Sequence, residues 1–114
     1  MVFVSQGQTK NTAMEIAAKK LTCKLTTPEL RKRKATVIAE LKALVVTREE
    51  LPNGFVYQLE SKDAILDKLT EFIKTERMCC DFFTFQLTVE DHTALLSLTG
   101  PEGTKNFIND EVGL

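Results

Sequence analysis

Apolar and polar positions along the chain repeat with two different periods, and the first clear element is a helix. From Pro28 to about Ala43, apolar residues recur at spacings of three and four, which predicts an amphipathic helix. Thr27 provides a capping side chain and Pro28 suits the first helical turn. The predicted apolar stripe comprises Leu30, Val37, Ile38, Leu41, Leu44 and Val45.

A hairpin is predicted after this helix. The β-branched run from Leu44 to Thr47 predicts one strand, and the alternation of Phe55, Tyr57 and Leu59 across polar neighbours predicts the next. Leu51 to Gly54 is a turn signal between them, because Asn-Gly accepts positive φ at low cost.

A second helix is predicted from Ser61, which is a good N-cap, with Asp63 in the first turn. Its apolar stripe runs on through Glu76 to the adjacent pair Cys79 and Cys80. The stripe begins with Ile65, Leu66, Leu69, Phe72 and Ile73.

Two more strands and a short helix complete the chain. Residues 83–89 and 94–98 alternate as strands on either side of a turn at Asp91 and His92. Thr99 to Glu102 has capping-box spacing and predicts the start of a last, short helix.

The resulting order, α-β-β-α-β-β-α, predicts an α+β fold in which helices cover one face of a four-stranded antiparallel sheet. The polar residues 1–12 are expected to form a flexible N-terminal tail, and residues 13–114 a single domain. Ala13 to Leu21 fits a short helix, whereas residues 21–25 alternate as a strand would, so that boundary stays open.

Composition narrows the class of protein. The chain of 114 residues is 43% hydrophobic and 27% charged, which excludes collagen-like, low-complexity and wholly disordered proteins. No apolar run approaches the roughly 20 residues that span a bilayer, and no secretion signal follows Met1. We therefore expect a cytoplasmic protein that does not associate with membranes.

Charge is balanced overall but uneven along the chain. Residues 1–50 carry ten basic and five acidic side chains, whereas residues 51–114 carry five and eleven. The run Arg31 to Lys34 is interpreted as the solvated side of the first helix, because it has no neighbouring aromatics, so nucleic acid is not an expected partner. The open sheet face and the uneven charge would suit a homodimer.

The most unusual residues are the thiols. Cys79 and Cys80 continue the core-facing stripe of the second helix, Glu76 lies one turn before them, and Cys23 is the third cysteine. Without a secretion signal, all three are expected to be reduced.

Three interpretations of this cluster are open. The cysteines could be small buried hydrophobes. Cys23, Cys79 and Cys80 could hold a soft, zinc-like metal ion, with Glu76 or His92 as a fourth donor. Neighbouring helical residues point about 100° apart, so two adjacent cysteines can share an ion only where the helix ends. A redox pair is the third interpretation, although the Cys-X-X-Cys spacing is absent.

No catalytic group is expected. His92, the only histidine, is interpreted as a surface residue of a turn, and no nucleophile and orienting partner accompany it. Gly100 to Gly103 lacks the Lys-Ser/Thr of a phosphate-binding loop and is interpreted as a turn before a helix. The aromatic cluster of Phe82, Phe83 and Phe85 is interpreted as core rather than as a stacking surface for a ligand ring.

Three motifs resemble those of a family of small uncharacterised bacterial proteins. They are the C-x-L-T segment Cys23 to Thr26, the segment Glu76 to Phe85 with its double cysteine, and Leu98 to Gly103, so the resemblance covers about residues 20–110. Similar segments occur attached to, or near, MerR-type metal-responsive regulators, which implies soft-metal sensing or binding. The family brings no enzymatic activity. Its members often have proline or alanine where this chain has Asp81, a departure that could alter the site.

These patterns lead to one functional hypothesis and one alternative. The hypothesis is a non-enzymatic domain that binds a soft metal ion or a thiol-reactive ligand through Cys23, Cys79 and Cys80, with Glu76 as an added donor. The alternative is a dimerisation or protein-interaction module in which the cysteines are structural. A small-molecule pocket between the helices and the sheet is a third possibility, which the sequence neither supports nor excludes.

Overall fold

A computed structural model describes residues 27–114, and these residues form an α+β fold in the predicted order. The predicted tail, the open boundary in residues 13–25, and Cys23 lie outside the described residues. Among residues 27–114, no helix combines the length and apolar character needed to cross a membrane. The elements are α1 (Pro28–Leu44), β1 (Thr47–Leu51), β2 (Gly54–Glu60), α2 (Asp63–Cys79), β3 (Thr84–Val89), β4 (Thr93–Thr99), α3 (Thr104–Phe107) and a π-helical turn (Ile108–Val112).

The four strands form one antiparallel sheet in the order β1-β2-β4-β3, so β2 and β4 are central. Burial alternates along both central strands, which places the hydrophobic core on one face. α2 packs on this face, where the Phe72 ring meets Phe85 of β3 edge-on at 6.5 Å. The buried side chains of the central strands are Phe55, Tyr57, Leu59, Ala94, Leu96 and Leu98.

The first helix begins as its sequence predicts. The side-chain oxygen of Thr27 accepts a hydrogen bond from the Leu30 backbone N–H at 3.2 Å, and proline occupies the first turn. Val37, Ile38 and Leu41 are buried against the core. The predicted N-cap and apolar stripe are therefore confirmed.

The strand predicted at Leu44 to Thr47 is wrong by three residues. α1 includes Leu44, and the Val45 backbone N–H still donates to the Leu41 carbonyl at 3.1 Å. β1 therefore begins only at Thr47 and carries mostly exposed residues. The β-branched pair before it joins helix to strand.

Ser61 is not the N-cap of α2. The helix begins at Asp63 with Lys62 at the cap position and no side-chain capping bond. The Ser61 hydroxyl instead donates to the Asp91 carbonyl at 2.8 Å, which ties the start of α2 to the β3–β4 turn. The Ser61 side chain, which the local sequence pattern predicts as a helix cap, is thus used in a contact with a residue distant in sequence.

The β1–β2 turn lies where it was predicted, but its glycine serves another purpose. Gly54 belongs to β2, and the glycines with positive φ in the described chain are Gly103 and Gly113. A Cβ on Gly54 would overlap the Leu98 carbonyl oxygen and lie 2.9 Å from the Thr99 Cα. The glycine is required by the close approach of β2 to β4.

The last helix is present, but the predicted capping box is not. α3 begins at Thr104, with Gly103 at the cap position in a left-handed conformation of φ 98°. The Thr104 hydroxyl donates to the Pro101 carbonyl at 2.6 Å. Phe107 and Ile108, which follow, are buried in the core.

Candidate thiol site

The last turn of α2 turns three chemically distinctive side chains inward. Glu76 and Cys79 continue the buried stripe of Phe72, and Cys80 follows directly after Cys79. All three residues are 0% exposed. α2 ends at Cys79, and Cys80 leaves helical geometry with φ −123° and ψ 85°. This change of backbone direction allows the two sulfurs to approach to 3.4 Å. The helix therefore ends between the two cysteines, which is the condition for Cys79 and Cys80 to share one ligand.

Glu76 is the acidic member of the cluster. The Cys80 thiol donates to Glu76 Oε1 across 3.6 Å, and the Lys34 ammonium lies 3.5 Å from the same oxygen. The second oxygen, Oε2, is buried and has no hydrogen-bond partner in the part of the chain that the structure describes. A buried carboxylate oxygen without a partner is costly, which marks it as a place where a ligand could bind.

Lys34 reaches the cluster from α1. Its Nζ atom donates to Cys79 Sγ at 3.3 Å, and the residue is only 9% exposed. The basic run Arg31 to Lys34 was interpreted as solvated throughout, which holds for its first three residues but is wrong for the last. The missed signal is spacing, because Lys34 lies four residues after Leu30 and three before Val37, on the apolar stripe.

Burial controls the protonation of the site. Burial, and after it the charge of the neighbouring Glu76, raise the pKa of Cys80 to about 12, against the opposing effect of the Lys34 ammonium. Burial also raises the pKa of Glu76, against the opposing effect of the Lys34 ammonium. Cys80 is therefore a protonated thiol at neutral pH. A cation entering the cluster would favour the ionised forms of both groups.

The two neighbouring cysteines differ in oxidation state. Cys79 is disulfide-bonded, whereas Cys80 is a free, buried thiol. The partner of Cys79 lies outside residues 27–114, because the other cysteine in that range, Cys80, is free. The expectation that all cysteines are reduced is therefore wrong for Cys79.

A complete metal site is not formed by the described residues alone. Within residues 27–114, no group of three or more His, Cys, Asp or Glu side chains is arranged to hold a metal ion. His92 lies in the exposed β3–β4 turn, where its Nε2 is 3.1 Å from Asp91 Oδ2 and its side chain is 90% exposed. The sequence interpretation of His92 as a surface residue is confirmed, and it does not join the cysteines.

Aromatic side chains follow directly after the thiols. The Phe83 backbone N–H donates to the Cys80 carbonyl, and the Phe82 ring packs against Phe83 at 4.7 Å and against Phe107 at 5.0 Å. These rings are buried, so the interpretation of the aromatics as core is confirmed.

Comparison of the chain with protein-family models, with curated proteins and with solved structures finds no match. The resemblance drawn from the three motifs therefore remains a prediction, and the function is argued from the site.

Proposed function

We propose that the protein, in its reduced form, binds a soft metal ion through Cys79 and Cys80, with Glu76 as oxygen donor and Cys23 as a third thiolate. The observation that carries the proposal is the convergence of two cysteine sulfurs with a buried carboxylate that has an unpartnered oxygen. Thiolates select zinc, copper(I) and related ions.

The separations between these donors support tetrahedral coordination. A tetrahedral zinc-like ion would hold two thiolates about 3.8 Å apart, and a thiolate and a carboxylate oxygen about 3.5 Å apart. The Cys79 and Cys80 sulfurs are separated by 3.4 Å, and Cys80 Sγ lies 3.6 Å from Glu76 Oε1. Small side-chain rotations would open these pairs around an ion. Cys23, outside the described residues, would complete the donor set.

Charge in the cluster also favours a cation. Burial opposes ionisation of Cys80 and Glu76, and a bound ion would offset that cost by ionising both groups. The ion would also give Glu76 Oε2 the partner that it lacks. The Lys34 ammonium lies 3.3 Å from Cys79 Sγ and 3.5 Å from Glu76 Oε1, so it would move aside when an ion binds these two donors.

The test is native mass spectrometry of the reduced protein, purified without chelators, with zinc and then cadmium added. We expect one ion per chain, and an affinity at least about tenfold weaker in Cys80→Ser. Met78→Leu is the matched control, because Met78 is a neighbouring sulfur residue that is 58% exposed. Equal binding by Cys80→Ser and the wild type would contradict the proposal.

A second candidate function, a homodimerisation module, is favoured by the two edges of the sheet. The β1 edge carries Arg48, Glu49 and Glu50, whereas the β3 edge has the sequence TFQLTV without any charge. Charged residues discourage edge-to-edge pairing, so β3 is the edge suited to pair with β3 of a second copy. Among the described residues, β3 is hydrogen-bonded to β4 alone.

This candidate is tested by placing one charge on each edge in turn. Thr88 and Thr47 are exposed threonines of β3 and β1. If β3 pairs across a two-fold axis, the mass of the wild type by light scattering rises with concentration to that of a dimer. Thr88→Lys should then remain monomeric, while Thr47→Lys dimerises normally. A wild type that is monomeric at every concentration would eliminate this function.

A further inference from the structure

The two faces of the sheet differ in what covers them. Phe55, Tyr57 and Leu59 of β2 are buried in the core, and so are the β4 residues that pair with them. Residues 56, 58 and 60 of β2 alternate with these and lie on the opposite face, together with the positions level with them and with residue 54 on β1, β3 and β4. We call this the open face, because none of its side chains is buried in the part of the chain that the structure describes.

The open face carries unusually little charge. On β2, β3 and β4 its side chains are Thr, Ser, Gln, Val and Leu, and Glu60 at the end of β2 is the one charged residue among them. Charged side chains make up 27% of the whole chain and normally concentrate at the surface. Neither Lys nor Arg lies on the open face within residues 27–114, so it lacks the cations that would bind a nucleic acid or an anionic lipid surface.

Two aliphatic side chains lie at the centre of the open face. Val56 of β2 pairs with Ser97 of β4, and Leu95 lies two residues before Ser97, so Val56 and Leu95 are diagonal neighbours. Both are half-buried on the central strands. An apolar centre surrounded by uncharged polar side chains is the layout of a protein–protein interface, in which charged residues are depleted from the core of the patch.

Hydrogen bonds between strands order the two glutamines of the open face. Gln58 Oε1 accepts from the Thr47 hydroxyl at 3.4 Å, and Gln86 Oε1 accepts from the Ser97 hydroxyl at 3.4 Å. Side chains that are ordered before association lose less entropy when a partner covers them. The open face is therefore better prepared for packing than a face of freely rotating long side chains.

We propose that the open face packs against the open face of a second copy of this chain. A two-fold axis places the same patch of both copies in contact, so a charged patch would meet its own charge, whereas a neutral patch would not. Packing of two such faces would form a two-layered sheet structure with Val56 and Leu95 of both copies near its middle. This surface is separate from the thiol site and from the β3 edge.

The size of the open face sets the strength of this contact. Four strands about 4.8 Å apart, with about six residues each at roughly 3.4 Å per residue, cover roughly 400 Å² of the sheet plane. Two copies would therefore bury about 800 Å², below the roughly 1,200 Å² of stable interfaces, and would associate only at high concentration. If β3 also pairs, antiparallel strands keep both open faces on one side, and two such pairs would bury about 1,600 Å².

The test measures mass by light scattering on the reduced full-length protein over a range of concentrations, with a chelator present so that no metal ion joins two copies. Face packing doubles the mass at high concentration. Gln58→Glu keeps the shape of the side chain but would place an unpaired charge inside the interface, so we expect association at least about tenfold weaker and half the mass of the wild type. Asn106→Asp is the matched control, because Asn106 is exposed in α3, outside the sheet.

A second substitution guards against a local effect of the first. Leu95→Lys adds a charge on β4 and removes one of the two central aliphatic side chains, so it should also halve the mass. Val46→Lys is its control, because Val46 is 59% exposed and precedes β1, outside the open face. Circular dichroism confirms that all four variants fold. If both face variants reach the mass of the wild type, the proposal is overturned.

Face packing and β3 pairing give different patterns of mass. Gln58 and Leu95 lie on the central strands, so their variants leave the β3 edge intact, whereas Thr88 lies on both surfaces. A dimeric wild type with monomeric face variants supports face packing and discards β3 pairing. A dimeric wild type with dimeric face variants has the opposite meaning, and a tetramer that the face variants reduce to a dimer supports both. A wild type that is monomeric at every concentration overturns both.

Discussion

At the scale of single residues, the cluster around Glu76 is better explained by chemistry than by stability. A buried ion pair seldom stabilises a fold more than well-packed apolar side chains of similar volume would. Glu76 nevertheless lies at 0% exposure beside Lys34, with one oxygen lacking a partner in the described chain. The cost of this arrangement is consistent with a site that holds a cation.

The raised pKa of Glu76 predicts how stability changes with pH. Because the folded pKa lies above the unfolded one, the folded state retains the Glu76 proton at pH values where the unfolded state has lost it. This contribution is fully present below the unfolded pKa and declines as pH rises through the folded pKa. Urea unfolding of the reduced protein from pH 4 to 8 should show the wild type losing stability relative to Glu76→Gln. The control Glu71→Gln removes an ion pair near the surface and should leave this slope in place. Parallel curves for wild type and Glu76→Gln would contradict the prediction.

The apolar spacing along α2 identified three residues of the described site, but the sequence analysis did not identify Lys34 as the fourth. Glu76, Cys79 and Cys80 follow from the helical stripe, because their burial depends on spacing along one helix. Lys34 has the same kind of spacing, but its side chain type and its basic neighbours favoured a solvated position. Its burial depends on α1 packing beside α2, where an acidic partner and a sulfur meet its charge. That pairing is not visible in either helix alone.

At the scale of elements, local signals succeeded where the residues that satisfy them are close in sequence. The cap of α1 is one such case, since Thr27 bonds Leu30 three residues later. Ser61 has equally good capping chemistry, yet its hydroxyl bonds Asp91 across the fold. Gly54 was correctly predicted at the β1–β2 turn, but the expected reason, a positive φ, was wrong. The glycine is needed because the backbone of Leu98, on the paired strand β4, lies too close for a Cβ.

The helix cap of α1 gives a direct test of stability. Thr27→Ala removes the acceptor for the Leu30 N–H and should lower the free energy of unfolding by about 1 kcal/mol. Thr36→Ala is the matched control, because the Thr36 hydroxyl bonds the Lys32 carbonyl within the helix, where alanine is the better helix former. Urea unfolding should show the loss in the first variant and no loss in the second. A similar effect of both substitutions would mean that the cap contributes nothing specific.

The close approach of β2 and β4 gives a second test. Gly54→Ala would press a Cβ into the backbone at Leu98 and Thr99, where no side-chain rotation can relieve the overlap. We expect a loss of about 1–3 kcal/mol or more, measured by urea unfolding. Thr88→Ala, on the exposed edge strand, should change stability by less than about 0.5 kcal/mol. A Gly54→Ala protein as stable as the wild type would show that the strands separate easily at this end.

At the scale of the whole molecule, the fold class was predictable because the order of elements leaves few alternatives. Four strands with one apolar face need a layer to cover it, and two long amphipathic helices provide that layer. Strand order was harder to predict, because the β1-β2-β4-β3 arrangement depends on β2 and β4 pairing across α2. Cys79 is disulfide-bonded to a cysteine outside residues 27–114, so the expectation of reduced cysteines, which rested on the expected compartment, was wrong for Cys79.

The proposed metal site predicts a stability that depends on both metal and redox state. An ion that binds only the folded state stabilises it by mass action, by about 2.7 kcal/mol at a free concentration one hundred times Kd. For a chain of this size, that corresponds to a rise in Tm of roughly 10 °C. Zinc should raise the Tm of the reduced wild type by about this amount and that of Cys80→Ser much less. The oxidised protein should respond weakly as well, because a disulfide at Cys79 removes at least one thiolate from the donor set. An equal rise in all three samples would place the zinc elsewhere on the molecule, and no rise in the reduced wild type would eliminate the site.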